Sequence, residues 1–345
     1  MGYPAGYRVA VAGATGLVGR TIVKVLEERN FPVRELVALA SERSAGNAIL
    51  FQGGQVEVKL LTERSFAGCD LALFSAGASV SRRFAPVAAD HTGLAIDNSS
   101  AFRMDPDIPL VVPEVNAHTL DGPYRGIVAN PNCSTIQLVV ALNPLHALFG
   151  LRSIVVSTYQ SVSGSGAKGV QALDYELETG RRHPESPYPH PVAFNALPHV
   201  ADFDESGWST EERKVINETR KIMELPSLHI VPTTVRVPVR VSHSESVYAR
   251  FERPVFLASA RRALSCSPGI VLEDEPTSAL YPLASRAEGR DEVFVGRIRS
   301  DPEDPRAMAL WVVADNLRKG AATNAVQIAE VALDVTRLAK QVQRA

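Results

Sequence analysis

Between residues 7 and 132 short β-rich runs alternate with helical patterns, and this alternation restricts the fold more than any other feature of the chain. YRVAVAG (7–13) is a strand pattern ending in glycine. GRTIVKVLEERN (19–30) carries apolar residues at 22, 23, 25 and 26, the spacing of one helix face. FPVRELVALAS (31–41), VEVKLLT (56–62), CDLALFSAG (69–77) and GLAIDNSS (93–100) read as further strands, the last preceded by the helix-like RRFAPVAADH (82–91). Strands separated by helices predict an α/β domain with a parallel, doubly wound sheet.

After residue 132 the pattern changes. A helix is expected at 134–149, then long strand patterns in LRSIVVSTYQSVSGSG (151–166), VRVPVRVSHSESVYARFE (235–252), FVGRIRS (294–300) and AMALWVVADN (307–316). Helices are expected at 167–180, 209–224 and 255–265, so the second domain reads as α+β. The segment 320–345 is a helix pattern with apolar residues at 326, 328, 329, 332 and 335, expected to pack back on the first domain. The division is therefore 1–132 with 318–345, and 133–317, in a chain whose 345 residues suit two domains.

Composition removes several function classes. Net charge is −2 with no basic tract or acidic tail, which gives no support for a nucleic acid or an anionic membrane as partner. No apolar run approaches the ~18 residues of a membrane span, and MGYPAGYRVAVAG lacks the pattern of a signal peptide. Three cysteines, Cys69, Cys133 and Cys266, without CxxC spacing, point to a reducing, cytoplasmic setting and away from a disulfide frame or zinc knuckle.

GATGLVG (13–19) follows a strand and opens a helix. Glycines at this spacing let the backbone approach a pyrophosphate, which the helix N-terminus then holds; the plain alternative is a packing turn. Gly13, Thr15, Gly16, Leu17 and Val18 are the candidate contacts. The second strand ends in Ala40, where NAD binders usually place an acidic residue for the ribose hydroxyls. Ser41, Arg43 and Ser44 follow instead, suited to a 2′-phosphate, so NADP is favoured. Glu42 is acidic but one residue late, with room to point away. Ser75, Ala76 and Gly77 close another strand on small residues, as crevice-lining strand ends do, or as a simple turn does.

ANPNCSTIQ (129–137) puts Cys133 at the mouth of a helix, where the positive end of the dipole lowers a thiol pKa. From local features the nucleophile and the small buried filler both stay open. Cys69 and Cys266 lack this setting. His243 is a candidate base, with Arg236 seven residues earlier. Odd spacing on one regular strand would put them on opposite faces unless a bend near Pro238 intervenes. Glu211 and Lys214 share a helix face three apart, the mark of an ordinary surface pair, and Ser209 suits its N-cap. Arg103 follows a strand end and is a phosphate ligand or a solvated arginine.

Taken in order, GATGLVG, SERSAG, DNSSAFRM, NPNCSTIQ, YQSVSGSGAKG, the HP…FN loop, EERK, RVPVRVSHSES and DNLRKGAA resemble the aspartate-β-semialdehyde dehydrogenase family over nearly the whole chain. The resemblance implies an NADP-binding Rossmann-like domain with an α+β domain for substrate and dimerisation, in a cytoplasmic homodimer. It implies Cys133 as nucleophile, His243 as acid/base, and Gln160 as the residue that positions the acyl-enzyme. Arg236 would clamp the substrate carboxylate and Glu211 would meet its amine. Arg103, Lys214 and Asn132 would form the phosphate pocket. Ser41, Arg43 and Ser44 would hold the 2′-phosphate, and Gly164 and Asn316 would lie at the cofactor. The histidines at 183, 190 and 199 belong to the family's loop and need not bind metal.

The implied reaction converts aspartyl phosphate to aspartate semialdehyde and phosphate with NADPH, reversibly, through a thioester on Cys133, on the route to lysine, methionine and threonine. His243 would protonate in one direction and act as base in the other. N-acetyl-γ-glutamyl-phosphate reductase runs the same chemistry, but Glu211 would face an acetylated amine that carries no charge. A catalytically silent nucleotide-binding relative would have no use for Cys133, Arg236 and His243 together. A cysteine acyl hydrolase would have none for GATGLVG.

Overall fold

The structure, a computed structural model, describes residues 6–335. The chain forms two compact units, one of residues up to Pro131 together with those from Ala321 onward, the other Asn132–Gly320. Residues 1–5 and the end of the expected terminal helix, 336–345, lie outside the described residues.

The first unit runs β1 (Tyr7–Ala12), α1 (Leu17–Glu28), β2 (Val33–Ala40), β3 (Ala48–Phe51), β4 (Gly54–Leu60), β5 (Leu71–Phe74), α2 (Ala78–Thr92), β6 (Ala95–Asp97), α3 (Pro113–Asn116) and β7 (Ile127–Ala129). The second runs α4 (Cys133–Phe149), β8 (Leu151–Gln160), α5 (Ala167–Thr179), α6 (Thr210–Ile222), β9 (His229–Arg236), β10 (His243–Phe251), α7 (Leu257–Cys266), β11 (Ile270–Leu272), α8 (Ala284–Ala287), β12 (Val293–Ser300) and β13 (Ala307–Ala314). The chain then re-enters the first unit as α9 (Thr323–Ala332).

The first sheet has the order β3-β4-β2-β1-β5-β6-β7. All its pairs are parallel except the β3–β4 hairpin, an element the sequence pattern did not announce. The central strands β1 and β5 read VAVA and LALF, all buried, as expected of strands covered on both faces. Ile22, Val25 and Leu26 of α1 and Val326, Ile328 and Ala329 of α9 join them in one core. Strand order reverses between β1 and β5. In open α/β sheets the crevice outside the carboxyl ends at such a reversal is where ligands bind.

The second sheet is mixed, β11-β12-β13-β10-β8-β9, with β8–β9 and β11–β12 parallel and the rest antiparallel. Along β8, Ile154, Val156, Thr158 and Gln160 are buried while Val155 and Tyr159 are exposed, so one face is covered. Helix α4 is buried at every position from Ser134 to Leu142, which explains why its apolar residues show no clear stripe.

The run 235–252 holds two strands and the bend near Pro238 that the spacing left open. Arg236 ends β9 and His243 begins β10, with β8 between them in the sheet. The odd spacing therefore carries no meaning for which faces the two side chains share. Pro238 lies inside the break, and Ser242, with φ 76°, turns the chain into β10.

Candidate active site

The turn after β1 places Gly13 just beyond the carboxyl end of that strand, beside Ser75 at the end of β5. Gly13 has φ 85°, and a Cβ there would lie 2.9 Å from Ser75 Oγ. A side chain at Gly19 would strike the Gly13 carbonyl oxygen, so the third glycine lets α1 start tight against the turn. A cavity of about 740 Å³ opens here. It is lined by Gly13, Thr15 and Gly16, by Ser41, Glu42, Arg43 and Ser44, and by Ser75 and Ala76. Bare backbone at a helix N-terminus with hydroxyls and a guanidinium nearby is the chemistry a dinucleotide requires, so the residues fit that group.

In the second unit Asn132 caps α4: its Oδ1 accepts the backbone N–H groups of Ser134 and Thr135 at 3.0 and 3.3 Å. Cys133 is the first residue of the helix. The cap is anchored on α6, where Glu218 Oε2 accepts the Asn132 amide at 2.6 Å and Glu211 Oε1 accepts from Asn132 Nδ2 at 2.8 Å. Ser209 N-caps α6 in a capping box with Glu212. Gly320 closes the other side: a Cβ there would lie 2.9 Å from the Cys133 Cβ.

The sheet supplies the other groups. Gln160 ends β8 in register with Arg236 of β9, and Ser244, next to His243, pairs with Tyr159. Arg236, Gln160 and His243 thus lie side by side at one end of three neighbouring strands, all buried. Gln160 Nε2 donates to Ser134 Oγ at 2.8 Å and to Glu211 Oε1 at 3.3 Å, which joins the sheet to the cysteine helix.

His243 Nδ1 accepts the Ser161 amide at 3.0 Å, with Ser161 Oγ at 3.1 Å. An amide can only donate, so the neutral ring carries its proton on Nε2, and Nε2 has no hydrogen-bond partner among the described residues. The hydroxyl can accept from Nδ1 when the ring changes tautomer or takes a second proton. Ser161 Oγ and Ser163 Oγ in turn donate to Asn316 Oδ1, which also accepts the Ser242 amide.

Burial, and then the Arg236 charge, push His243 down to about 3, against the pull of Glu211. Burial works to raise Glu211. Lys214, 3.0 Å away, overcomes it by charge and hydrogen bond, with Asn132 and Gln160 as further donors, and holds the carboxyl at about 2. Glu211 is therefore a buried anion and not half of a surface pair, because two neutral donors and a lysine replace its water.

The structure brings Asn132, Cys133, Gln160, Glu211, Lys214, Arg236 and His243 into one cluster. Gly164 lies there too and is not among the residues that line the first unit's cavity: a Cβ on it would lie 3.0 Å from Arg236 Nη1 and 3.4 Å from His243. Asn316 bonds to Ser161, Ser163 and the Ser242 amide. Leu17 and Val18 do not line the nucleotide cavity, because the helix has begun and Val18 turns toward the core. Gly77 is also absent from the lining, and Glu42, given room to point away, lines it. Arg103, in the first unit, is buried and donates to the carbonyl oxygens of Asn130 and Asn98 at 2.9 and 2.8 Å. Burial pushes the Cys69 thiol up, and Cys266 is exposed. Sequence reading assigned nothing to Ser161, Ser163 or Glu218. The serines stand in a quoted motif, SVSGSG, but their contacts come from other strands.

Among the described residues no group of three or more His, Cys, Asp or Glu side chains could hold a metal ion, and no helix is long and apolar enough to cross a membrane.

Two family models match this chain. One, described as semialdehyde dehydrogenase, NAD binding domain, covers residues 8–122; the other, semialdehyde dehydrogenase, dimerisation domain, covers 142–319. Both halves thus fall in the semialdehyde dehydrogenase class. The chain is 54% identical over 332 residues to the aspartate-semialdehyde dehydrogenase of Aquifex aeolicus, covering 94% of this chain and 98% of that one. It is 46% identical to that of Bacillus subtilis, with 94% and 97% covered. A crystal structure of aspartate semialdehyde dehydrogenase II from Vibrio cholerae, complexed with ASA, superposes with a TM-score of 0.91 at 44% identity, covering 95% of this chain and 98% of that one. The chain belongs to the aspartate-semialdehyde dehydrogenase family.

Proposed function

We propose that this chain is an aspartate-semialdehyde dehydrogenase that carries out the NADPH-dependent reductive dephosphorylation of L-4-aspartyl phosphate to L-aspartate 4-semialdehyde, and the reverse, in the biosynthesis of lysine, methionine and threonine. The observation that carries the reading is a buried cation and a buried anion, Arg236 and Glu211, both beside Gln160, which donates to Ser134 next to the helix-capped Cys133. An α-amino acid has a carboxylate and an ammonium to match them. An N-acetylated substrate would leave Glu211 facing a neutral amide.

Cys133, its thiolate favoured by the α4 N-terminus, attacks the acyl carbon. The C–O bond to phosphate breaks, phosphate leaves, and the acyl group rests on sulfur as a thioester. Lys214 and Asn132 are proposed to receive the phosphate charge. Arg236 grips the carboxylate through paired N–H groups, and Glu211 holds the amine. Gln160 fixes the acyl-enzyme. His243 Nε2–H faces the substrate oxygen as charge gathers there, and the thiolate is released when the aldehyde forms. A substrate carboxylate on Arg236 offsets the charge that depresses His243, so the ring gains proton affinity when substrate is in place.

Gly13, Thr15, Gly16, Ser75 and Ala76 would hold the dinucleotide, with Ser41, Arg43 and Ser44 on the 2′-phosphate. When bound, its nicotinamide supplies or takes up the hydride. The dimerisation-domain match supports a homodimer, and three cysteines without CxxC spacing support a cytoplasmic setting.

The test is NADPH formation from NADP⁺ and L-aspartate β-semialdehyde, with and without inorganic phosphate. Phosphate-dependent formation is expected, with N-acetylglutamate semialdehyde inert. Preference for the acetylated substrate would overturn the reading.

A further inference from the structure

The loop 183–199 has a small core of its own. Its Tyr188, Val192 and Leu197 pack with Val162, from the turn after β8, and Leu173 of α5. Glu176 of α5, itself buried, ties the loop down: its Oε2 accepts the backbone N–H groups of Val192 and Ala193 at 2.7 and 2.9 Å.

From this base the loop reaches Arg236 twice. Leu197 pairs with it backbone to backbone, donating at 2.9 Å and accepting at 2.8 Å. The Tyr188 ring lies against the guanidinium, its centroid 5.7 Å from Cζ, while Tyr188 Oη donates to Val162 O at 3.3 Å. The phenol is buried, and burial raises its pKa despite the nearby guanidinium, so it stays neutral beside the cation. Arg236 Nη1 donates to Ser161 O at 2.5 Å, and Gly164 leaves room for that nitrogen. Nε is buried and has no partner among the described residues. One hydrogen bond through Nη1 does not fix the plane of a guanidinium. An aromatic face does, and a carboxylate can be gripped by two parallel N–H groups only when that plane is fixed.

We propose that Tyr188 is a positioning residue for Arg236: its ring sets the guanidinium plane so that the Nε edge is presented to the substrate carboxylate. The inference rests on the carboxylate role of Arg236 stated above.

The experiment measures steady-state kinetics of Tyr188→Leu, Tyr188→Phe, Arg236→Lys and the Leu–Lys double variant, with L-aspartate β-semialdehyde, NADP⁺ and phosphate. Tyr188→Leu should raise KM for the semialdehyde about tenfold. Its KM for NADP⁺ should move less than about twofold, and Tyr188→Phe, which keeps the ring, should stay within about twofold of wild type throughout. In the Arg236→Lys background the leucine change should add less than about twofold to the loss of kcat/KM. Tyr188→Met, a flexible filler of the same apolar cluster, is read alongside in case the leucine variant does not fold. An unchanged KM in Tyr188→Leu or Met, or a full effect persisting without Arg236, would overturn the inference. Arg236→Lys with a wild-type KM would instead sink the carboxylate assignment on which it stands.

Discussion

Asn132 Nδ2 donates to Glu211 Oε1 at 2.8 Å while Asn132 Oδ1 caps the helix that begins at Cys133. One amide therefore serves the fold and the charge of the site together. Asn132→Ala should lower stability by about 1 kcal/mol through the lost cap. It should also raise the Glu211 pKa and reduce kcat, because a donor to the carboxylate is gone. Thermal melts and steady-state rates would check both. A variant that loses stability but keeps kcat would separate the cap from the site.

Acid should weaken the fold in two stages. His243 is held at about 3, below its ordinary 6.5, so between those values the unfolded chain binds a proton that the folded chain does not. Stability from this group is lost as pH falls from 6.5 toward 3. Glu211 is held at about 2, below its ordinary 4.5, and contributes stability that is present above 4.5 and lost as pH falls toward 2. Urea unfolding as a function of pH should show the upper stage vanish in His243→Gln and the lower shrink in Glu211→Gln. Because buried Glu245 is pushed up and tilts stability the other way, the test is the difference between variants: His243→Gln losing stability between pH ~7 and ~5 as steeply as the wild type would contradict the buried neutral histidine.

Cys133→Ser should abolish turnover and leave NADP(H) affinity near wild type, since the nucleotide cavity belongs to the other unit. Fluorescence titration with NADPH and a rate assay decide it. Normal turnover would end the thiolate mechanism.

Arg43→Ala should weaken NADP more than NAD, because a 2′-phosphate distinguishes the two and Arg43 lines the cavity. Glu42 lines it too and disfavours added negative charge there. Equal losses for both cofactors would count against a 2′-phosphate role.

Gly320→Ala should impair the reaction while leaving the nucleotide cavity alone. The added carbon would sit 2.9 Å from the Cys133 Cβ, so the thiol or the turn must move. A shift of a fraction of an ångström at a nucleophile commonly costs about ten- to a hundredfold in rate. The readout is kcat together with NADPH affinity.

What the sequence made legible was local. GATGLVG and NPNCST announce themselves because a helix start, its cap and the glycines before it are contiguous. The burial of Glu211 is not contiguous: it depends on Asn132 from α4 and Gln160 from β8. The Arg236–His243 spacing misleads for the same reason, because β8 is inserted between their strands. Tyr188 was invisible, since a tyrosine in a proline-rich loop signals nothing until Arg236 is found against its ring. The β3–β4 hairpin was missed because its first strand has only four residues.

The three groups proposed to hold the substrate come from three separate elements, Glu211 from α6, Arg236 from β9 and Cys133 from α4. Three distinct groups met from one side define a sense of rotation. On that assignment a mirror-image semialdehyde approaching from the same side would satisfy two of them at once but not the third, and the choice of hand would rest on how α4 and α6 pack against β8 and β9, with no residue dedicated to it.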